Sequence, residues 1–402
     1  VSDHFQYLAS MGPLALAGAG ITTVISRVCS TPRISASDTN GLQSLAKDVV
    51  GSRVRLALTI VVCGIILVSL GFLTWRQTAE YQNLIALYTA TLQKNPGCWM
   101  AHYNFGIVLS EQGKSDAAID HYRRAVELRP DYAEAHYNLG RLLVEKGHLE
   151  DAIAHYEKAA AINPRDAEAQ NNLGVTLFGI GRADEAIAHY QKAIQMQPDY
   201  AEASCNLANA LIAKGDLDGA IARYTVCLAA VPDQEEARYN LASALLRRGR
   251  IDDAIIQYQK VLEVHPDSAD AHANLGSAWL AKRRFHDAIT EYKKALQLSP
   301  ENLAALSNLA WLLATSSDPS LRDGPEAVRL AELADSASSR SEKHATVLRI
   351  LAAAYAEAGQ FTEAKNTAQE ALQAANVQGN TGLADALQGE LALYDLGLPY
   401  HR

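Results

Sequence analysis

The stretch Ala133–Asp166 reads AEAHYNLGRLLVEKGHLEDAIAHYEKAAAINPRD and contains two helical patterns. Apolar residues recur at helical spacing in the first pattern at Ala135, Leu139, Leu142 and Leu143. They recur in the second at Ala152, Ile153, Tyr156 and Ala159. Gly147 suits the turn between the two patterns, and Pro164 ends the second because proline disfavours helix at the residue before it. The stretch therefore predicts a pair of helices joined by a tight turn.

The same pattern recurs with a period of 34 residues. Seven of the twelve prolines follow this period, at Pro96, Pro130, Pro164, Pro198, Pro232, Pro266 and Pro300. Six units cover residues 99–302 without an insertion. A helix pair of this size cannot bury its own apolar face, so neighbouring units must stack. We number positions within a unit from Trp99, Ala133 and their equivalents.

The repeat resembles the tetratricopeptide repeat, which has small residues at positions 8 and 20, an aromatic residue at 24 and proline at 32. Position 8 holds Gly106, Gly140, Gly174, Ala208, Ala242 and Gly276. Position 24 holds Tyr122, Tyr156, Tyr190, Tyr224, Tyr258 and Tyr292. The resemblance covers about three quarters of the chain and implies an all-α solenoid, a right-handed superhelix of helix pairs. Arg283 stands where the sixth unit should have its turn glycine, so we expect a looser turn there.

Five regions are expected. Residues 1–78 form a membrane region and residues 79–98 a capping half-repeat, followed by the six units at 99–302. Residues 303–376 hold two degenerate units, the first with an insertion, and residues 377–402 hold a capping helix and tail.

One or two transmembrane helices are expected before the repeats. Residues 56–75 form an uncharged run of twenty, long enough to cross a bilayer core of about 30 Å. A buried core helix is the alternative, and residues 5–25 are a second candidate span. The loop at 26–55 is basic, and residues 1–98 carry a net charge of +3 against −12 for residues 99–402. The positive-inside rule places that loop in the cytoplasm and the repeats outside it.

The resemblance implies that the first helix of each unit lines the concave side of the solenoid. Position 6 of that helix is asparagine in seven successive units. These residues, the asparagine row, are Asn104, Asn138, Asn172, Asn206, Asn240, Asn274 and Asn308. An amide offers donors and an acceptor, as the backbone of an extended peptide requires. The row resembles the asparagines that grip substrate chains in the repeats of the O-linked N-acetylglucosamine transferase. The alternative is that the amides bridge neighbouring helices.

Tyrosines at position 5 are candidate contacts for ligand side chains, at Tyr103, Tyr137 and Tyr239. Ordinary surface tyrosine is the alternative. His121, His155 and His189 share position 23, but equivalent positions in stacked helices lie about 10 Å apart, too far to share a zinc ion. We expect no metal and no cofactor, and we find no nucleotide-binding or hydrolase motif. Cys205 and Cys227 are interpreted as small packing residues, with a disulfide left open.

The first function predicted is a membrane-anchored, non-enzymatic scaffold that binds an extended segment of a partner protein and no nucleic acid. The second is the carboxyl-terminal part of a membrane glycosyltransferase. The segment around Asp3, His4, Tyr7 and Leu8 is similar to a segment of the bacterial transmembrane and tetratricopeptide-repeat O-mannosyltransferases. That resemblance implies a bacterial inner-membrane protein with periplasmic repeats. Because Val1 stands almost inside an apolar run, we expect a longer parent protein, a GTG start codon being the alternative.

Overall fold

The computed structural model describes residue 54 and residues 57–73, 84–338 and 344–402. All regular secondary structure in these ranges is helical, and they contain no β-strand. The predicted all-α class is therefore confirmed for the described part of the chain. The predicted span at 5–25 and almost all of the loop at 26–55 lie outside it.

The chain divides into two compact units, residues 1–128 and residues 129–402. In the first unit, residues 57–73 are helical. They are followed by α1 (Leu84–Lys94), α2 (Trp99–Glu111) and α3 (Ser115–Leu128). The helices of the second unit up to the sixth repeat are α4 (Ala133–Glu145), α5 (Leu149–Ile162), α6 (Ala167–Gly179), α7 (Ala183–Met196), α8 (Ala201–Ala213), α9 (Leu217–Ala230), α10 (Glu235–Arg247), α11 (Ile251–Val264), α12 (Ala269–Ala281) and α13 (Phe285–Leu298).

The seventh and eighth repeats complete the second unit. The seventh consists of α14 (Leu303–Thr315), a 3-10 turn (Pro319–Leu321) and α15 (Gly324–Ser338). The eighth consists of α16 (His344–Glu357) and α17 (Phe361–Val377), and α18 (Thr381–Asp395) packs against α17. The predicted insertion therefore forms a loop at residues 316–323, the insertion loop, between the two helices of the seventh repeat.

The turn between paired helices requires one residue in the left-handed region. Gly147 takes this conformation with φ 80°, and its N–H donates to the Val144 carbonyl at 2.9 Å. The expectation of a looser turn at Arg283 is wrong. Arg283 adopts φ 59°, and its N–H donates to the Leu280 carbonyl at the same 2.9 Å, because the closing hydrogen bonds hold the backbone in this geometry.

Close approach of the paired helices depends on the small residue at position 8. A Cβ added to Gly174 would lie 2.7 Å from Cε1 of Tyr190, and one added to Gly106 would lie 2.6 Å from Cε1 of Tyr122. The position-24 tyrosines are almost completely buried throughout the six regular repeats. The glycine thus makes room for the tyrosine ring of its own repeat.

Stacking in the second unit places the first helices of successive repeats in contact. The second helix of each repeat packs against the first helix of the next, as α5 does against α6. In addition, α6 contacts α8, α10 contacts α12, and α12 contacts α14. We call the surface that the first helices α4, α6, α8, α10, α12 and α14 form together the groove.

The structure does not support the predicted membrane span at residues 56–75. Within that stretch, the structure describes residues 57–73, and these are helical. Among the residues that the structure describes, no helix has both the length and the apolar character needed to cross a membrane.

Candidate peptide-binding groove

Every member of the asparagine row lies half-buried on the first helix of its repeat. Asn104 belongs to α2 in the first unit, and the other six lie on α4, α6, α8, α10, α12 and α14 in the second. Residues three and four apart share one face of a helix. Positions 2, 5, 6, 9 and 12 therefore follow one another along the face that carries the row.

Two of these amides bond to a tyrosine in the preceding repeat. Asn172 donates from Nδ2 to the hydroxyl of Tyr137 at 2.7 Å, and Asn274 donates in the same way to Tyr239 at 2.6 Å. The partners are 35 residues apart in both cases. Tyr137 and Tyr239 thus meet the asparagine row, but as acceptors between repeats.

Three further amides bond to other acceptors of the preceding repeat. Asn206 donates to Oδ1 of Asn171 at 3.0 Å. Asn240 donates to Oδ1 of Asn209 at 3.4 Å, and Asn308 donates to Oγ of Ser277 at 3.2 Å. One N–H of each of these five asparagines therefore bridges neighbouring helices, which is the alternative that the sequence left open. A primary amide has a second N–H and a carbonyl oxygen, so bridging alone does not test contact with a ligand.

The position-5 tyrosines pack on the buried tyrosine of their own repeat. Ring centroids lie 5.9 Å apart for Tyr103 and Tyr122, 5.8 Å for Tyr137 and Tyr156, and 5.9 Å for Tyr239 and Tyr258.

The Tyr137 hydroxyl also donates to Oε1 of Glu168 at 2.6 Å. Burial first, and then this hydrogen bond and the charge of Glu168, raise the pKa of Tyr137, so the group stays neutral at physiological pH. Its hydroxyl is held by partners on two sides, which fixes the ring.

Sequence reasoning missed the residues that flank the asparagine row. Exposed carboxylates occupy position 2, at Glu134, Glu168, Glu202, Glu236 and Asp270. Half-buried apolar side chains occupy position 12, at Val144, Phe178, Ile212, Leu246 and Leu280. Both rows have the 34-residue period and could have been found by aligning the repeats. Across the groove, a ligand would meet carboxylates, then amides, then an apolar strip.

A small cleft interrupts the groove between α8 and α10. Its volume is about 130 Å³, and its lining includes Asn209, Ile212, Asn240 and Arg247. The hydroxyl of the buried Tyr224 bonds to Asn209 at its base. The cleft exposes two amides beside one guanidinium.

The position-23 histidines pair within their own repeats. Nδ1 of His121 lies 2.9 Å from Nδ1 of His102, and Nδ1 of His155 lies 2.9 Å from Nδ1 of His136. His189 instead bonds to the Gln170 side chain. The part of the chain that the structure describes holds no cluster of three or more metal-binding side chains.

Cys205 on α8 and Cys227 on α9 form a disulfide with Cα atoms 5.6 Å apart. Both residues are buried. Their interpretation as separate small packing residues is therefore wrong, because positions 5 and 27 face each other within one repeat. The bridge joins the two helices of the fourth repeat covalently.

Comparison with known proteins identifies the repeats. Models described as Tetratricopeptide repeat match residues 85–133, 103–167, 137–201, 205–263, 239–302 and 275–319, and a further one matches 177–226. These matches lie in the repeats and give no support to a parent similar to the O-mannosyltransferases. No curated protein matches the chain.

Several solved structures are similar to part of the chain. YrrB, described as a TPR protein with an unusual peptide-binding site, is 25% identical over 46% of this chain and 95% of its own, with a TM-score of 0.44. MamA is 26% identical over 42% of this chain and 92% of its own, with a TM-score of 0.40. Pseudomonas aeruginosa pilF is 20% identical over 53% and 96%, with a TM-score of 0.45. With a family match over more than half of its length, the chain belongs to the tetratricopeptide repeat family.

Proposed function

We propose that the groove binds an extended segment of a partner protein through the asparagine row. The observation that carries the proposal is the row of half-buried amides at position 6 of the first helices of the second unit, five of which are held by hydrogen bonds to the preceding repeat. Packed helices lie about 8–10 Å apart, and an extended chain advances about 3.3 Å per residue. Each repeat would therefore meet about three ligand residues, and amides at this spacing can bond a peptide backbone whatever its sequence.

The bonds between repeats support this role because they orient the amides before a ligand arrives. An ordered amide loses less conformational freedom on binding than a free one. At about 0.5–1.5 kcal/mol net per hydrogen bond, several asparagines together would hold a segment that one could not. The protein would act as an interaction scaffold.

We also propose that the repeats lie in an oxidising compartment outside the cytoplasm, the periplasm in a bacterium. The Cys205–Cys227 disulfide supports this, because such bonds persist in oxidising compartments. Exposed apolar side chains along residues 57–73 support attachment of this segment to a membrane. Alkaline carbonate extraction of cell membranes tests the attachment of residues 57–73 to a membrane. Electrophoresis of the cellular protein with and without reductant tests the disulfide on which the oxidising compartment rests.

A peptide array of varied 15-residue sequences tests the binding role. We compare the wild type with a variant carrying Ala at Asn138, Asn172, Asn206 and Asn240. We expect the wild type to bind many peptides without a shared sequence and the variant to lose most of them. The matched control carries Ala at exposed position 25 of the second helices, at Glu157, Gln191, Thr225 and Gln259. Equal binding by both variants, each still folded by circular dichroism, would contradict the proposal.

A further inference from the structure

The end of the chain folds back onto the first helices of the last two repeats. Gly397 follows α18 with φ 70° and reverses the chain direction. Residues 398–402, which we call the tail, then run without helical structure to α14 and α16. The tail is an extended segment seated against the face that continues the groove.

Backbone hydrogen bonds join the tail to the insertion loop. The Arg402 N–H donates to the Thr315 carbonyl at 2.9 Å, and the Ser317 N–H donates to the Arg402 carbonyl at 3.1 Å. In the regular repeats, a short turn closed by its own hydrogen bonds stands at this place, as at Gly147. The insertion loop instead offers backbone groups to an extended chain.

Side chains of the tail contact Trp311, which occupies position 9 of the seventh repeat. The Tyr400 ring centroid lies 6.0 Å from that of Trp311. The Arg402 guanidinium carbon lies 5.7 Å from the same ring, and the Arg349 guanidinium carbon lies 4.8 Å from it. Cations over an indole face are attracted by its negative charge density.

The carboxylate of Glu357 holds His401, the tail residue between Tyr400 and Arg402. Nε2 of His401 lies 2.7 Å from Oε2 of Glu357, and the other carboxylate oxygen of Glu357 lies 3.0 Å from Nε of Arg322. The Glu357 side chain is only 14% exposed. The site thus recognises an aromatic residue, a histidine and a guanidinium in succession.

We propose that the tail is an intramolecular ligand, and that a partner segment with an aromatic residue followed by two basic residues displaces it. The tail is held at the surface: Leu398 is 51% exposed, and His401 and Arg402 are exposed as well. Displacement would uncover mainly the surface beneath Tyr400, whose half-buried ring packs against the core of the last repeats. Glu357 and the indole face attract the cationic groups of the tail, but Arg322 already pairs with Glu357 and Arg349 already lies over Trp311. The sequence of the tail itself therefore defines the ligand.

Space beside the tail favours a longer competitor. A cavity of about 440 Å³ adjoins Arg402 and is lined by Leu280, Phe285 and Leu312 among others. The tail leaves this cavity open, and an extended partner segment continuing past the position of Arg402 would enter it. Such a segment gains contacts that the tail does not make.

Fluorescence anisotropy with a labelled peptide GLPYHR, the sequence of residues 397–402, tests the proposal. A variant carrying Tyr400→Ala, His401→Ala and Arg402→Ala lacks the side chains that fill the site, and we call it the vacated chain. We expect the vacated chain to bind the peptide at least tenfold more tightly than the wild type, because the attached tail competes at high effective concentration. Trp311→Ala or Glu357→Gln in the vacated chain should weaken binding at least tenfold, and the peptide GLPAHA should not bind.

Other outcomes would overturn the proposal. If the vacated chain loses helicity or melts more than about 10 °C below the wild type, the tail is part of the fold rather than a ligand. If the folded vacated chain does not bind the peptide, the site does not exchange its occupant. A concentration-dependent dimer of the wild type, absent from the vacated chain, would assign the tail to a second copy. The variant with Ala at the four asparagines of the peptide array should bind GLPYHR as the wild type does. The tail site can therefore exchange its occupant even if the asparagine row binds no peptide.

Discussion

The hydrogen bond between Asn172 and Tyr137 joins two repeats, and removing it measures what the asparagine row contributes to the fold. The two atoms are 2.7 Å apart in a half-buried setting. A net hydrogen bond is worth about 0.5–1.5 kcal/mol, so we expect Asn172→Ala to lower the free energy of unfolding by about 1 kcal/mol. Tyr137→Phe removes this bond and the one to the exposed Glu168, so its cost should be about 1–2 kcal/mol.

The double variant should cost about 1 kcal/mol less than the sum of the single variants, because each single change removes the same bond. Equilibrium denaturation in guanidinium chloride, followed by far-ultraviolet circular dichroism, supplies the free energies. The control cycle pairs Asn172→Ala with Tyr239→Phe, which removes an equivalent hydroxyl two repeats after Asn172. Changes at separated sites add within about 0.5 kcal/mol, so this cycle should show no coupling.

Equal coupling in the two cycles, or none in either, would refute the bridging geometry. The array experiment then completes the comparison. If Asn172→Ala weakens peptide binding more than Tyr137→Phe does, the amide contacts the ligand in addition to bridging the repeats. If both changes weaken binding in proportion to stability, the row acts through the fold alone.

Three further changes test other parts of the structure. Reduction of the Cys205–Cys227 disulfide, whose cysteines are 22 residues apart, should lower the free energy of unfolding by about 3 kcal/mol, and an equal denaturation midpoint with and without dithiothreitol would contradict it. Arg283→Gly should raise the free energy of unfolding by about 1 kcal/mol, because glycine adopts the left-handed conformation without strain. Arg248 has φ −80°, so Arg248→Gly should lower the free energy of unfolding in the same assay. Burial lowers the pKa of His136, so the unfolded chain takes up the proton first and stability should fall as the pH drops below about 6.5. His136→Gln, which copies the Gln170–His189 pair, should reduce that loss between pH 7.5 and 5.5, as melting temperatures would show.

The regular repeats were predictable because their signals are local. Pro164 and Gly147 mark the end and the turn of a helix pair in the sequence, and α5 ends at Ile162 accordingly. The turn at Arg283 was mispredicted because local propensity favours glycine there. Two closing hydrogen bonds and the packing of α12 on α13 outweigh that preference.

The partners of the asparagine row could not be predicted from spacing alone. Asn172 and Asn206 meet residues 35 positions earlier, whereas Asn240 and Asn308 meet residues 31 positions earlier. Which acceptor is used depends on whether position 5 or position 9 of the preceding repeat offers a suitable oxygen. The return of the tail was also unpredictable, because Thr315 and Arg402 are far apart in sequence and only the path of the last helices brings them together.

The bridging bonds constrain how the asparagine row can hold a ligand. A ligand carbonyl that took the N–H already bound to Tyr137 would have to break a contact between repeats, which would offset the energy it gains. A ligand N–H that donates to an asparagine carbonyl leaves that contact in place and polarises the amide, which strengthens both bonds. The energetically favoured register therefore sets backbone N–H groups of the extended chain against the Oδ1 atoms of the row. Because the two bonds reinforce each other, a ligand bound in this way also tightens the junction between repeats, so its binding should raise the denaturation midpoint of the wild type more than that of Tyr137→Phe.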